Sequence, residues 1–258
     1  MKSPCVILIT GASSGIGETL ARHYAAPGIT LVLTGRNAER LEKVAADCRC
    51  NGAVVHPEII DVCDAEAMRQ WILSLDKTQN FDLVIANAGI SGGTGLGGED
   101  EAQVRSIFDT NVNGVFNTIL PILPQMCARH RGQIAIVASL AGFSGWPGAP
   151  AYSASKGAVR LYGEALRGAV ADEGVAINVV CPGFVVSRMT DANHFNMPFL
   201  MPTNQAAKII SRGLSQNRGR IAFPWQTRII VGILALLPYR AVFTILKKTP
   251  KKSAQNSP

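Results

Sequence analysis

Tyr152-Ser153-Ala154-Ser155-Lys156 sets a phenol and an ammonium four positions apart, so on a helix the two side chains share one face. A free tyrosine ionises at about pH 10, too high to exchange protons readily near neutrality. An ammonium held beside it favours the phenolate, and a second positive group would add to the effect. Such a tyrosine can give a proton to a carbonyl oxygen as that carbon is reduced, or take one from an alcohol in reverse. Ser139 ends the apolar run 134–139 and is a candidate to hydrogen-bond the same oxygen. Tyrosine and lysine at this spacing also occur by chance on exposed helices, so the pair needs support from elsewhere in the chain.

The first support lies near the start. Thr10-Gly11-Ala12-Ser13-Ser14-Gly15-Ile16-Gly17 follows an apolar run and precedes a helical pattern that begins around Glu18. Gly11 suits a tight turn out of a strand, Gly15 a close approach of backbone to a pyrophosphate, and Gly17 close packing of helix on sheet. The helix start then presents unpaired N–H groups and a partial positive charge to phosphate. At the end of the next strand, where a carboxylate would bind the ribose hydroxyls of NAD, the chain reads Thr34-Gly35-Arg36-Asn37. An arginine there can hold a 2′-phosphate bidentately, so NADP is expected and NAD is the lesser candidate. The alternative is an ordinary exposed arginine at a helix start. Asp61-Val62, closing the run 59–62, would then flank the adenine.

These residues need a scaffold. Apolar runs at Val6–Thr10, 31–34, 81–86, 134–139 and 176–181 alternate with helical patterns. Leu41, Val44, Ala45 and Cys48 recur at helical spacing, as do Met68, Trp71, Ile72 and Leu75, with Asp64 placed as an N-cap. Continuous apolar strands between amphipathic helices predict a doubly wound parallel sheet of Rossmann type, in a single α/β domain. We place that domain at 1–217 and a basic, apolar extension at 218–258.

Charge and composition narrow the partners. Of 25 basic residues, eight lie from Arg218 onward with no acidic residue among them, leaving 17 basic against 18 acidic in the body. A near-neutral body argues against nucleic acid. The six cysteines show no metal-like pairing and the four histidines share no ligand spacing, so no metal is expected and the thiols are read as free. The chain opens without a basic-then-apolar leader, which suggests a cytoplasmic start. In the extension, apolar runs 229–237 and 241–246 are separated by Pro238-Tyr239-Arg240 and flanked only by positive charge. Such a segment is too interrupted for a clean crossing and suits peripheral contact with an anionic membrane surface, with Trp225 and Tyr239 at the interface. Packing on the domain or on a partner subunit is the alternative. Phe195, Met197, Phe199 and Met201 suit either an apolar lid over the substrate or ordinary core.

Taken in order, TGASSGIG at 10–17, Asp61-Val62, Asn87-Ala88-Gly89, Asn111 within NVNGVFN, Ser139, Tyr152 with Lys156, and Pro182-Gly183 resemble the classical short-chain dehydrogenase/reductase family over roughly residues 5–190. The resemblance implies a nicotinamide-dependent oxidoreductase that interconverts a ketone or aldehyde and an alcohol. It implies that Asn111 holds a water linking Lys156 to solvent, that Asn87 and its neighbours Ala88 and Gly89 support the central strand and approach the ribose, and that Lys156 also binds the nicotinamide ribose. Pro182, Gly183 and the Val185 backbone would pass beside the nicotinamide, and Arg36 matches the position that binds the 2′-phosphate in NADP-preferring members. It further implies a homodimer or tetramer built on the helices around Asn111 and Tyr152. Two departures are mild: Ala86 stands where the family has a second asparagine, and Ser187 where many members have threonine. A lipid-like substrate would accord with the tail. The rival reading is a catalytically silent dinucleotide-binding scaffold, against which the intact Ser139, Tyr152 and Lys156 stand.

Overall fold

The structure, a computed structural model, describes residues 4–95, 97–191 and 195–247. The chain forms a seven-stranded, all-parallel sheet between two layers of helices. Strand β1 (Val6–Thr10) leads into helix α1 (Gly15–Tyr24), then β2 (Thr30–Gly35), α2 (Ala38–Cys50), β3 (Val54–Ile59), α3 (Ala65–Gln79) and β4 (Leu83–Ala86). Helix α4 (Glu101–Phe108) passes through a π-helical turn (Asp109–Asn113) into α5 (Gly114–Ile119), followed by α6 (Leu123–Ala128), β5 (Gly132–Val137) and a short 3₁₀ turn (Leu140–Phe143). Then come α7 (Pro150–Ala169), β6 (Val175–Pro182), α8 (Arg188–Asp191), α9 (Thr203–Ser215), β7 (Arg220–Phe223), α10 (Trp225–Leu236) and α11 (Tyr239–Leu246).

The strand order is β3-β2-β1-β4-β5-β6-β7. The order reverses between β1 and β4, and the crevice beyond the strand ends at such a reversal is where open α/β sheets bind ligands. The inner strands are closed to water on both faces, as their unbroken apolar runs require: β4 and β6 are buried at every position. Ile7, Ile9, Leu31, Leu33 and Ile85 pack on one side of the sheet, and Leu8, Val32, Val84, Ile134 and Ile136 on the other. Helices α2 and α3 bury the faces that their spacing indicates, Leu41, Val44, Ala45 and Cys48 in one and Met68 and Ile72 in the other. Asp64 caps α3 by accepting a hydrogen bond from the Ala67 N–H at 3.0 Å.

Three features depart from the sequence reading. Strand β3 is formed by V-V-H-P-E-I, where His56, Pro57 and Glu58 hide the apolar signal. It lies at the sheet edge, where a strand tolerates proline and polar residues. The opposite edge, β7, comes from residues beyond 217, so the sheet extends into the segment expected to be an appendage. Among the described residues of that segment, α10 and α11 are the elements that follow the last strand. Finally, β5 stops at Val137, and Ser139 stands two residues past it as the cap of the 3₁₀ turn.

Candidate active site

The expected residues gather along the carboxyl ends of β1, β4, β5 and β6. At the end of β1 the Thr10 hydroxyl accepts from the Asn87 and Ala88 N–H groups, both at 3.1 Å. Asn87 returns the tie, its Nδ2 donating to the carbonyls of Thr10 at 2.9 Å and Gly11 at 3.2 Å. This clamp locks the first turn against the β4 end. It leaves no space for side chains: a Cβ on Gly17 would lie 2.4 Å from the Gly11 carbonyl oxygen and 2.5 Å from Asn87 Nδ2. Gly11 and Gly15 both adopt left-handed backbone, at φ +65° and +60°.

The cradle fits a dinucleotide pyrophosphate. Helices α2, α3 and α4 have their first N–H groups capped by Asn37, Asp64 and Asp100. Ser14, a good capping residue at the start of α1, makes no such bond, so the α1 start keeps its donors. Ser187 faces this turn, its Cβ 3.3 Å from where a Cβ on Gly15 would stand. Ser187 is held by Thr190, whose hydroxyl accepts from the Ser187 N–H at 2.8 Å and bonds the Val185 carbonyl at 3.1 Å. At the β2 end a Cβ on Gly35 would meet Ser13 Oγ at 3.0 Å. Arg36 extends beyond it, largely exposed, with Nη1 3.9 Å from the half-exposed Asp61 carboxylate. Asp61 also accepts from the Cys63 N–H at 3.0 Å, and Val62 is buried against Gly114.

On the far side of the crevice, α7 carries Tyr152 and Lys156 on one face. The Tyr152 hydroxyl is hydrogen-bonded to Ser139. Ser139 is itself fixed, accepting from the Ala141 N–H at 3.1 Å and approaching the Pro182 carbonyl at 3.4 Å. The turn behind it is pressed onto α7, because a Cβ on Gly142 would lie 2.6 Å from the Lys156 backbone. Arg160 secures the turn by bonding the Gly142 carbonyl at 3.2 Å and stacking over Phe143. Lys156 is 3 % exposed and donates to the Val137 carbonyl at 2.9 Å. A Cβ on Gly89 would fall 3.2 Å from Lys156 Nζ and 3.0 Å from Asn111 Oδ1, so these three residues meet at one point.

Burial acts on both titrating groups. It draws the Lys156 ammonium down to about 8. It pushes the Tyr152 phenol up, while the Ser139 hydrogen bond pulls the other way. The sequence reading made Lys156 the residue that lowers Tyr152. In the structure Ser139 also acts on Tyr152 in that sense, and the Lys156 ammonium donates to the Val137 carbonyl.

Asn111 sits in the π-helical turn between α4 and α5, completely buried. Its Oδ1 accepts from the Ile90 N–H at 2.8 Å, and its Nδ2 donates to the Ile90 carbonyl at 2.9 Å and to Ser155 Oγ at 3.0 Å. Isolated π turns in α-helices are frequently found at functional sites. Sequence reasoning missed Ser155 and Thr190. Ser155 follows Tyr152 by three positions and so lies on the same helix face. In the segment after β6, Met201 is buried and bridged to Val185, while Phe199 is half-exposed.

The model of short chain dehydrogenases matches residues 5–197. The chain belongs to the short-chain dehydrogenase family. An uncharacterised oxidoreductase of Myxococcus xanthus (strain DK1622) is 39 % identical over 232 residues, covering 90 % of this chain and 92 % of that one. A 3-oxoacyl-[acyl-carrier-protein] reductase, FabG, of Staphylococcus aureus (strain Mu50 / ATCC 700699) is 34 % identical over 197 residues, 74 % of this chain and 79 % of its own. Two solved short-chain dehydrogenases share the fold at a TM-score of 0.80, each covering 97 % of this chain and 98 % of theirs. One, from Burkholderia phymatum, holds NAD and is 23 % identical; the other, from Sphingobium yanoikuyae, holds NADPH and is 22 % identical. This short-chain dehydrogenase is thus an NAD(P)-dependent oxidoreductase on a Rossmann-type sheet.

Proposed function

We propose that the protein is an NADP(H)-dependent reductase of a ketone or aldehyde, running as an alcohol dehydrogenase in reverse. The observation that carries this reading is the hydrogen bond between the Tyr152 and Ser139 hydroxyls, backed by Lys156, Asn111 and Gly89. Two hydroxyls so joined can both reach one substrate oxygen, Ser139 orienting it and Tyr152 supplying its proton. When bound, the nicotinamide supplies or accepts the hydride at the substrate carbon. The remaining work belongs to the chain. Thr10, Gly11, Ser13, Ser14, Gly15, Ile16 and Gly17 hold the pyrophosphate, and Asp61 and Val62 flank the adenine. Asn87, Ala88 and Gly89 approach the ribose, and Pro182, Gly183 and Val185 line the nicotinamide side. Lys156 binds the ribose and returns a proton to Tyr152. Both Asn111 Nδ2 protons are engaged, with Ile90 and Ser155, so a relay water would meet Asn111 at a carbonyl oxygen.

The preference for NADP rests on Arg36, exposed at the end of β2 beside Gly35. Fluorescence titration tests it. NADPH should bind more tightly than NADH, and Arg36→Ala should weaken NADPH alone by roughly ten- to hundredfold, the worth of a hydrogen bond to a charged group. Equal binding of the two cofactors would overturn the preference and turn the search toward alcohol oxidation.

The reading includes assembly with a second copy through the helices around the site. Phe108 at the end of α4, Leu120 after α5 and Leu161 on α7 are exposed apolar side chains on those helices, Leu161 the most so at 59 %. The small carbonyl or alcohol substrate would enter beside the loop 92–98 and the segment 140–150.

A further inference from the structure

We infer that the outward face of α10 docks on an anionic lipid surface. The inference is independent of the substrate and of the cofactor preference. Helix α10 is anchored to the domain on one side only, by the buried Val231 and Leu234. The opposite side carries Trp225, Ile229, Ile233 and Leu236, spaced at i, i+4, i+8 and i+11 and therefore aligned along the helix. All four are exposed, from 50 % at Ile229 to 87 % at Leu236, and Ile230 and Leu237 widen the stripe. A contiguous patch of this kind is unusual on a surface that meets only water.

Charge and length decide what covers it. Arg228 and Arg240 are exposed beside the stripe, with no ion pair among the described residues. From Arg218 to the end the sequence has eight basic residues and no acidic one. A second copy seated on this face about a two-fold axis would set those basic rims against each other. An anionic headgroup layer complements them and attracts basic segments next to it. At 12 and 8 residues, α10 and α11 are about 18 and 12 Å long, well short of the ~30 Å hydrocarbon layer. Among the described residues no helix is long and apolar enough to cross. An apolar stripe on a short helix with a basic edge and a tryptophan at one end is the form that lies in the interface plane.

The full chain, floated with vesicles of phosphatidylglycerol and phosphatidylcholine, tests the proposal. Protein should rise with these vesicles, rise far less with phosphatidylcholine alone, and be released by high salt. Ile233→Glu and, separately, Leu236→Ser should each cut partition, the first by about tenfold or more. Both positions are exposed, so both variants should keep the wild-type melting temperature and cofactor binding. Absence of wild-type flotation, equal flotation on neutral vesicles, or variants that float like wild type would overturn it. So would a variant that loses flotation only along with a fall in oligomer mass by light scattering, which would assign the face to a second copy.

Discussion

At the scale of single residues, the proposed function divides labour between two hydroxyls and one buried ammonium. Because Ser139 draws the Tyr152 phenol downward, Ser139→Ala should raise the Tyr152 pKa. The acidic limb of the pH–rate profile for alcohol oxidation, where protonation removes the phenolate base, should then move to higher pH, with kcat lower by about 10²–10³. An unmoved limb would mean that Ser139 does not act on Tyr152. Lys156 yields a stability prediction of definite sign. Folding lowers its pKa to about 8 from 10.5, so between those values the unfolded chain binds more protons than the folded one. The burial cost is fully present below about pH 8 and is relieved as pH rises toward 10.5. In the cofactor-free protein, Lys156→Met should therefore be stabilising relative to wild type at pH 7, and that advantage should shrink by pH 10. Chemical denaturation at the two pH values checks it, and an advantage that grows with pH would contradict it.

At the scale of elements, the crevice depends on how closely the first turn, α1 and the β4 end approach one another. Gly17→Ala places a methyl 2.4 Å from the Gly11 carbonyl oxygen and 2.5 Å from Asn87 Nδ2, so the turn must open. The expected result is loss of cofactor binding together with a stability loss of about 1–3 kcal/mol, read by titration and by thermal unfolding. Gly168, near the end of α7, has open space around the same added atom and is the control, since alanine there should be tolerated. The elements also explain what could be read in advance. The central strands and the glycine turn were legible because full burial forces unbroken apolar runs and left-handed turns force glycine. β3 was not, since an edge strand need satisfy only one neighbour and can carry His56, Pro57 and Glu58. Nor was β7, four residues long within a basic stretch. The site residues were legible by type and spacing, but their contacts were not. Nothing in NVNGVFN signals the π-helical turn that seats Asn111, and nothing near Lys156 signals that its ammonium turns to the Val137 carbonyl.

At the scale of the whole molecule, the sheet sets the catalytic face, and the surfaces left apolar set the contacts. Two such surfaces stand apart in the fold: the helices carrying Phe108, Leu120 and Leu161, and the face of α10. The first is the expected seat of a second copy. Leu161→Glu should lower the oligomer mass in light scattering without changing the monomer's cofactor affinity, and an unchanged mass would remove that surface from the assembly. The tail also reaches the catalytic face, since Leu237, Val242, Phe243 and Leu246 line a groove with Gly142, Trp146 and Pro147, next to the proposed substrate entry.

The central claim is that Tyr152 moves the proton in a nicotinamide-dependent carbonyl reduction. Its most direct test is NADPH oxidation by a panel of ketones and aldehydes, comparing wild type with Tyr152→Phe, with cofactor affinity measured for both. Wild type should turn over at least one class of carbonyl compound, and the variant should lose about 10²–10⁴-fold in kcat while binding NADPH as before. A variant that reduces the same compounds at the wild-type rate would contradict the account, as would a wild-type protein that binds cofactor and reduces none of them.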